Sequence, residues 1–149
     1  MREARNSLLG DIAEIVTGDV RLTMWLAVLK ASGLDKVISG EGPFTIFAPI
    51  DEAFAKLAKG TLRKWLLDTT VLKQVLLYHV ASGRLSLSEL IRLGSVHTLA
   101  NRPLRVFVDD GALKLNQAAV LSCDIEASNG TIHLIDSVLL HPQSSEELS

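Results

Sequence analysis

The stretch Asn129-Gly130-Thr131-Ile132-His133-Leu134-Ile135-Asp136-Ser137-Val138-Leu139-Leu140 decides the fold. Asn-Gly takes positive φ at little cost, and between alternating apolar residues it is the strongest short-range signal for a two-residue hairpin turn. Ile125 and Ala127 alternate before it, Ile132 and Leu134 after it. That is the period of half-buried strands. Val138, Leu139 and Leu140 continue as an apolar run closed by Pro142, the pattern of a strand buried on both faces. A C-terminal hairpin this apolar belongs in the middle of the molecule.

Upstream of the hairpin the β pattern extends back to Ser95. Val120 to Ala127 leads into the turn, Leu113 and Leu115 alternate, and Asp109-Asp110-Gly111 reads as a second hairpin turn. Leu104, Val106 and Val108 form the strand before it, and Val96 lies in another. Earlier residues are mostly helical. Leu8, Leu9, Ile12, Ile15 and Val16 fall at helical spacing, with Asn6 or Ser7 as cap and Gly18 as stop. Asp19 is placed to cap a second helix, whose Leu22, Trp25, Leu26 and Leu29 make an amphipathic stripe ended by Gly33.

One β-prone run, Phe44 to Phe47, interrupts the helices and stops at Pro49. Asp51 then stands as an N-cap or first-turn acid ahead of Ala53, Phe54 and Leu57. Further helices follow over Thr61–Leu67, from Asp68 or Thr69 to Tyr78-His79-Val80, and over Leu87–Leu93 before Gly94. Helices first, one early strand, then a run of antiparallel strands is an α+β layout rather than βαβ winding. Residues 1–6 read as a polar lead-in, 7–142 as one domain and 143–149 as a polar tail.

Composition agrees with a single cored domain: 149 residues, 48% hydrophobic and 21% charged. Net charge is −2 with acids and bases intermixed, so no basic stripe offers itself to nucleic acid. Cys123 is the sole cysteine, which excludes an intrachain disulfide, and within V-L-S-C-D-I it reads as a small buried hydrophobe. The start M-R-E-A-R-N has no apolar leader. No run reaches the ~18 apolar residues of a membrane span. The chain is therefore expected to insert no span, and to be either cytosolic or stripped of a signal or anchor.

Three blocks together resemble the fasciclin-like (FAS1) domain family. They are G-P-F-T-I-F-A-P-I-D-E-A-F at Gly42–Phe54, L-L-Y-H-V at Leu76–Val80, and D-I-E-A-S-N-G-T-I-H-L-I-D-S-V-L-L at Asp124–Leu140. Their order and spacing match the family, and Leu8 to Pro142 looks like one complete domain. The resemblance implies a wedge of two β-sheets packed with several α-helices. It also implies a secreted, cell-surface or periplasmic location and a non-enzymatic role in adhesion or attachment, with a protein or polysaccharide partner and no cofactor. Ile50 departs from the family where Thr is common, Asn101 stands for the usual Gly, and His141 precedes Pro142 as an insertion.

Carried over residue by residue, the resemblance marks Tyr78 and His79, with Leu76, Leu77 and Val80, as the motif implicated in integrin-dependent adhesion in animal relatives. It marks Asp124-Ile125 as a second contact pair. The residues themselves argue for structure at Tyr78-His79, because apolar neighbours on both sides imply burial and buried polar groups are hydrogen-bonded. Asp51 is the expected partner of His79. Protonated His79 near a helix C-terminus would also complement the macrodipole. Asp51, Asn129, Gly130, His133 and Asp136 are read as structural motif residues. His133 and Asp136, three apart on a strand, face opposite sides.

His79, His97, His133 and His141 lack zinc-site spacing, so no metal is expected. A Ser82-His79-Asp51 triad exists only on paper, without a nucleophile elbow. The alternative function is carriage of an apolar molecule such as a carotenoid, in a groove lined by Trp25, Trp65 and the Leu62–Leu67 helix. Core packing is the plainer reading of those residues.

Overall fold

The computed structural model describes residues 10–140. Among these residues seven α-helices, α1 (Ile12–Gly18), α2 (Thr23–Ser32), α3 (Leu34–Ile38), α4 (Asp51–Ala55), α5 (Thr61–Leu67), α6 (Thr69–Leu77) and α7 (Leu87–Leu93), accompany seven strands. The strands are β1 (Phe44–Pro49), β2 (Val80–Ser82), β3 (Ser95–His97), β4 (Pro103–Asp109), β5 (Ala112–Leu115), β6 (Ala118–Ala127) and β7 (Gly130–Ile135). This is the α+β class expected.

The strands form one hydrogen-bonded order, β2-β1-β7-β6-β5-β4-β3. The two expected sheets are thus continuous through β6, whose register shifts between Val120 and Ser122 and again between Ser122 and Ile125. Such bulges bend a strand, which lets one β6 serve β5 at its start and β7 at its end. All neighbours are antiparallel except β1 and β7, which run parallel from Phe44↔Gly130 to Pro49↔Ile135. The two edges also meet. Ala81 bridges Thr98, and Leu99 N–H donates to Val80 O at 2.8 Å. A sheet closed on itself leaves little unpaired edge for another chain.

Two apolar clusters follow from this closure. One lies inside the sheet and takes a residue from every strand, among them Phe47, Ala81, Val96, Leu104, Leu115, Ala118 and Ile135, with Leu90 of α7. The other lies between the sheet and α1–α6, joining Ile46, Ile132 and Leu134 to Ile12, Trp25, Leu29, Trp65 and Leu72. Successive residues of β1 and β7 alternate between the clusters, so both strands are buried on both faces. All six residues of β7 are buried, which places the hairpin at the centre as its sequence implied.

Several local expectations change. The hairpin pairs Ala127 with Gly130, so its loop is Ser128-Asn129, and no positive φ occurs at Ser128, Asn129 or Gly130. The true positive-φ turn is Asp110-Gly111, at 52° and 79°, as a type I′ hairpin requires. Val138 to Leu140 form no strand, although Val138 and Leu139 are buried. Their apolar run fills the clusters as irregular chain. Cys123 is exposed rather than buried, because it sits in the bulged part of β6. Asn101 adopts φ 61°, a conformation Asn tolerates nearly as Gly does.

Helix ends explain the rest. Asp11 and Glu14 make a reciprocal capping box on α1, with Glu14 N–H to Asp11 Oδ1 at 2.8 Å and Asp11 N–H to Glu14 Oε1 at 3.1 Å. The expected start at Asn6 or Ser7, with Leu8 and Leu9, lies outside the described residues, as does His141. Asp19 caps a single 3-10 turn, Val20–Leu22, and α2 begins at Thr23. The cap of α2 comes from far along the chain. Asp51 Oδ1 accepts the Met24 N–H at 2.8 Å and Oδ2 accepts the Thr23 hydroxyl at 2.6 Å.

Asp51 is therefore the first residue of α4 and the cap of α2 at once, while Ile50 supplies no side-chain cap. It is not the partner of His79. Asp51→Ala should cost about 1 kcal/mol, the usual value of a helix cap, read as a shifted denaturant midpoint at unchanged m-value. A change in m would mean instead that the helical layer had loosened.

Candidate functional site

Tyr78 and His79 close α6 and turn directly into β2. Neither reaches the surface, at 3% and 0% exposure. The Tyr78 hydroxyl donates to Pro103 O at 2.9 Å and accepts from Asn116 Nδ2 at 2.8 Å. The bonds tie the end of α6 to β4 and to the turn after β5. Burial pushes the phenol pKa up.

His79 is bonded at both ring nitrogens to backbone: Nδ1 to Val75 O at 2.8 Å and Nε2 to Leu139 N at 2.9 Å. A carbonyl only accepts and an amide N–H only donates, so Nδ1 carries the proton and Nε2 is bare. Val75 O is one of the carbonyls that a helix leaves unpaired at its C-terminus. Burial lowers the imidazole from 6.5 to about 4, against the opposing bond to Val75. The ring is neutral, so it serves the end of α6 by hydrogen bonding and not by charge. With both nitrogens committed it has no free base for Ser82.

His133 repeats the device on β7. Nδ1 accepts the Asp124 N–H at 3.2 Å and Nε2 donates to Leu85 O at 2.7 Å, and its ring stacks on Phe47 at 5.9 Å. Burial again lowers its pKa, with the Leu85 bond and the Asp124 charge opposing. Asp136 has separate partners. Its Oδ1 accepts the Ala119 N–H at 2.8 Å and its main-chain O accepts Lys56 Nζ at 2.8 Å.

Asp124 is the exposed member of the set. It sits in the β6 bulge at φ 56°, and its Oδ1 accepts the Leu87 N–H at the start of α7 at 2.9 Å. Ile125, half-buried, pairs with Ile132 and packs on the helical cluster. The bulge thus holds Asp124 outward and Ile125 inward, with α7 fastened beside them. Asn129 is buried and joins three segments: Oδ1 accepts the Ile12 N–H at 2.9 Å, while Nδ2 donates to Ile38 O at 2.7 Å and Gly40 O at 2.8 Å.

Sequence reasoning missed Arg84. Its guanidinium donates to Ala127 O at 3.0 Å, Gly130 O at 2.8 Å and Ser128 O at 2.7 Å, clamping the β6–β7 loop. An arginine after Gly83 carries no local signal of that role. Thr45 was missed too. It donates to Gly83 O at 2.6 Å and accepts from Leu85 N at 2.8 Å. Trp25 and Trp65, 0% and 2% exposed, are core residues and line no surface groove. Among the described residues no three of His, Cys, Asp and Glu cluster to hold a metal ion.

The fasciclin domain family model matches residues 20–141. The chain belongs to the fasciclin domain family. This fasciclin domain is 41% identical over 133 residues to protein sll1483 of Synechocystis sp., covering 88% of the chain and 73% of that protein. It is 31% identical over 139 residues to transforming growth factor-beta-induced protein ig-h3 of Sus scrofa, where it spans 93% of the chain but only 20% of the relative. Its fold matches a FAS1 domain pair from the insect cell adhesion molecule fasciclin I at a TM-score of 0.77 and 20% identity. That match covers 91% of the chain and 52% of the pair. The family thus includes a cell adhesion molecule, and no helix among the described residues is long and apolar enough to cross a membrane.

Proposed function

We propose that this fasciclin domain is a non-enzymatic interaction module acting at a cell surface or in the periplasm, binding a protein or polysaccharide through the Asp124-Ile125 bulge. The carrying observation is the bulge itself. Asp124 is exposed at positive φ with one carboxylate oxygen spent on α7, and its other oxygen has no hydrogen-bond partner among the described residues. His133 supports this site from within, its Nδ1 accepting the Asp124 N–H, whereas the bonds of Tyr78 and His79 go to Pro103, Asn116, Val75 and Leu139. The commitment of both ring nitrogens in His79 and His133 to backbone favours a binding role over catalysis. The burial of Trp25 and Trp65 removes the aromatic lining that apolar carriage was expected to use.

Alanine at 124 would confuse binding with folding, because it also removes the acceptor of the Leu87 N–H and lacks the tolerance of Asp or Asn for positive φ. Asp124→Asn retains an acceptor for Leu87 N–H and removes the charge. It should weaken attachment of cells to immobilised domain, while unfolding free energy stays within about 0.5 kcal/mol of wild type. Equal attachment by the Asn variant would remove Asp124 from the binding surface.

A further inference from the structure

The joint between α5 and α6 carries an exposed face that the core does not use. Trp65 and Thr61 point α5 inward, and Leu72, Val75 and Leu76 do the same for α6. At 3.6 residues per turn this turns Arg63 and Leu67 together to the outside of α5. Leu67 is 81% exposed, Leu66 45% and Val71 41%. Three large apolar side chains within six residues is a concentration that a solvated surface does not need.

The charges around them are mostly positive. Between Lys59 and Lys73 stand four bases, Lys59, Arg63, Lys64 and Lys73, and one acid, Asp68, in a chain whose net charge is −2. Asp68 is spent on the cap of α6, accepting from Thr70 N at 3.1 Å and Val71 N at 3.3 Å. All four bases are exposed, and none makes a salt bridge among the described residues.

We infer that this face docks on an anionic lipid surface, with Leu67 entering the headgroup layer and Arg63 and Lys64, its i−4 and i−3 neighbours on α5, meeting lipid phosphates. Apolar side chains set among bases are the pattern of a peripheral membrane contact. An anionic polymer would answer the bases but leave Leu66, Leu67 and Val71 in water. The contact is superficial, since no described helix is long and apolar enough to cross a membrane.

Flotation with phosphatidylcholine vesicles, with and without phosphatidylglycerol, tests this on the full chain. The wild type should float with the anionic vesicles at low salt, remain behind with the neutral ones, and release as salt screens the charges. Leu67→Ser should lower partition roughly tenfold, as expected for losing one buried leucine. Joint Arg63→Glu and Lys64→Glu should lower it by more than about twentyfold. Leu121→Ser, an apolar residue 53% exposed on β6 and away from this face, should leave it unchanged. All four substituted positions are exposed, so melting temperatures should match wild type.

Absence of flotation, equal flotation with both vesicle types, or unchanged binding by Leu67→Ser would overturn the proposal. So would capture on dextran sulfate that Leu67→Ser leaves intact, which assigns the bases to a polyanion. Concentration-dependent dimerisation abolished by Leu67→Ser would assign the face to a second copy instead.

Discussion

Gly130→Ala should lower stability by about 3 kcal/mol or more, the upper range for forcing atoms into a packed interior. The reason is space and not turn conformation. A Cβ at 130 would lie far inside contact distance of Phe44 O and 2.7 Å from Ile12 Cδ1. Phe44 is the first residue of β1, pairs with Gly130 in the parallel register, and donates its N–H to Asn129 O at 3.0 Å. The carbonyl that blocks the methyl group is therefore main chain, held by the ladder it belongs to, and cannot swing aside. Relief requires β1 and β7 to part beside Ile12.

Gly111 is the matched control. It is a true positive-φ residue at 79° with nothing within 4 Å of a built Cβ, so Gly111→Ala should cost only the ~1–2 kcal/mol of left-handed strain. Denaturant midpoints of the two variants give the comparison directly. Equal losses would show that the β1–β7 crossing yields, and that close packing at Gly130 is not what excludes a side chain.

The same pair of glycines shows what the sequence could convey. A hairpin at Asn129-Gly130 was legible because alternation on both arms needs only nearest neighbours. The reason for each residue was not, because Asn129 binds Ile38 and Gly40, some ninety residues away. Nothing local announces that distance. Asp51 failed in the same way: a helix-start acid is recognisable, but that it caps α2 rather than its own helix depends on the packing of two helices.

Val138–Leu140 had the hydropathy of a buried strand without a neighbour to pair with, as β7 already lies between β1 and β6. At the candidate site, Asp124 and Ile125 were identified by resemblance alone. Their division into an outward acid and an inward apolar residue comes from the bulge, which alternation cannot encode. Arg84 was invisible because its three acceptors are carbonyls and therefore carry no side-chain signature.

His79→Ala should cost roughly 3–5 kcal/mol, since it opens a cavity and leaves Val75 O and Leu139 N–H without partners in the core. The wild type carries a second signature, in pH. The unfolded chain takes up a proton on His79 near 6.5, whereas the folded chain resists until about 4. Between those values the unfolded state binds more protons, so stability falls as pH falls and is fully present above 6.5. The gap corresponds to roughly 3 kcal/mol.

Protonation would place a hydrogen on Nε2 against the Leu139 N–H, releasing the buried C-terminal run from α6. His133 contributes in the same direction, because its pKa is also lowered by burial. His79→Gln should therefore flatten the stability profile across that window without abolishing it. A ring-proton titration of His79 by NMR should show the neutral imidazole persisting well below 6.5. If His79 titrates near 6.5 in the folded protein, or if the Gln variant keeps the full slope, the histidine is not what fastens Leu139 to the helix.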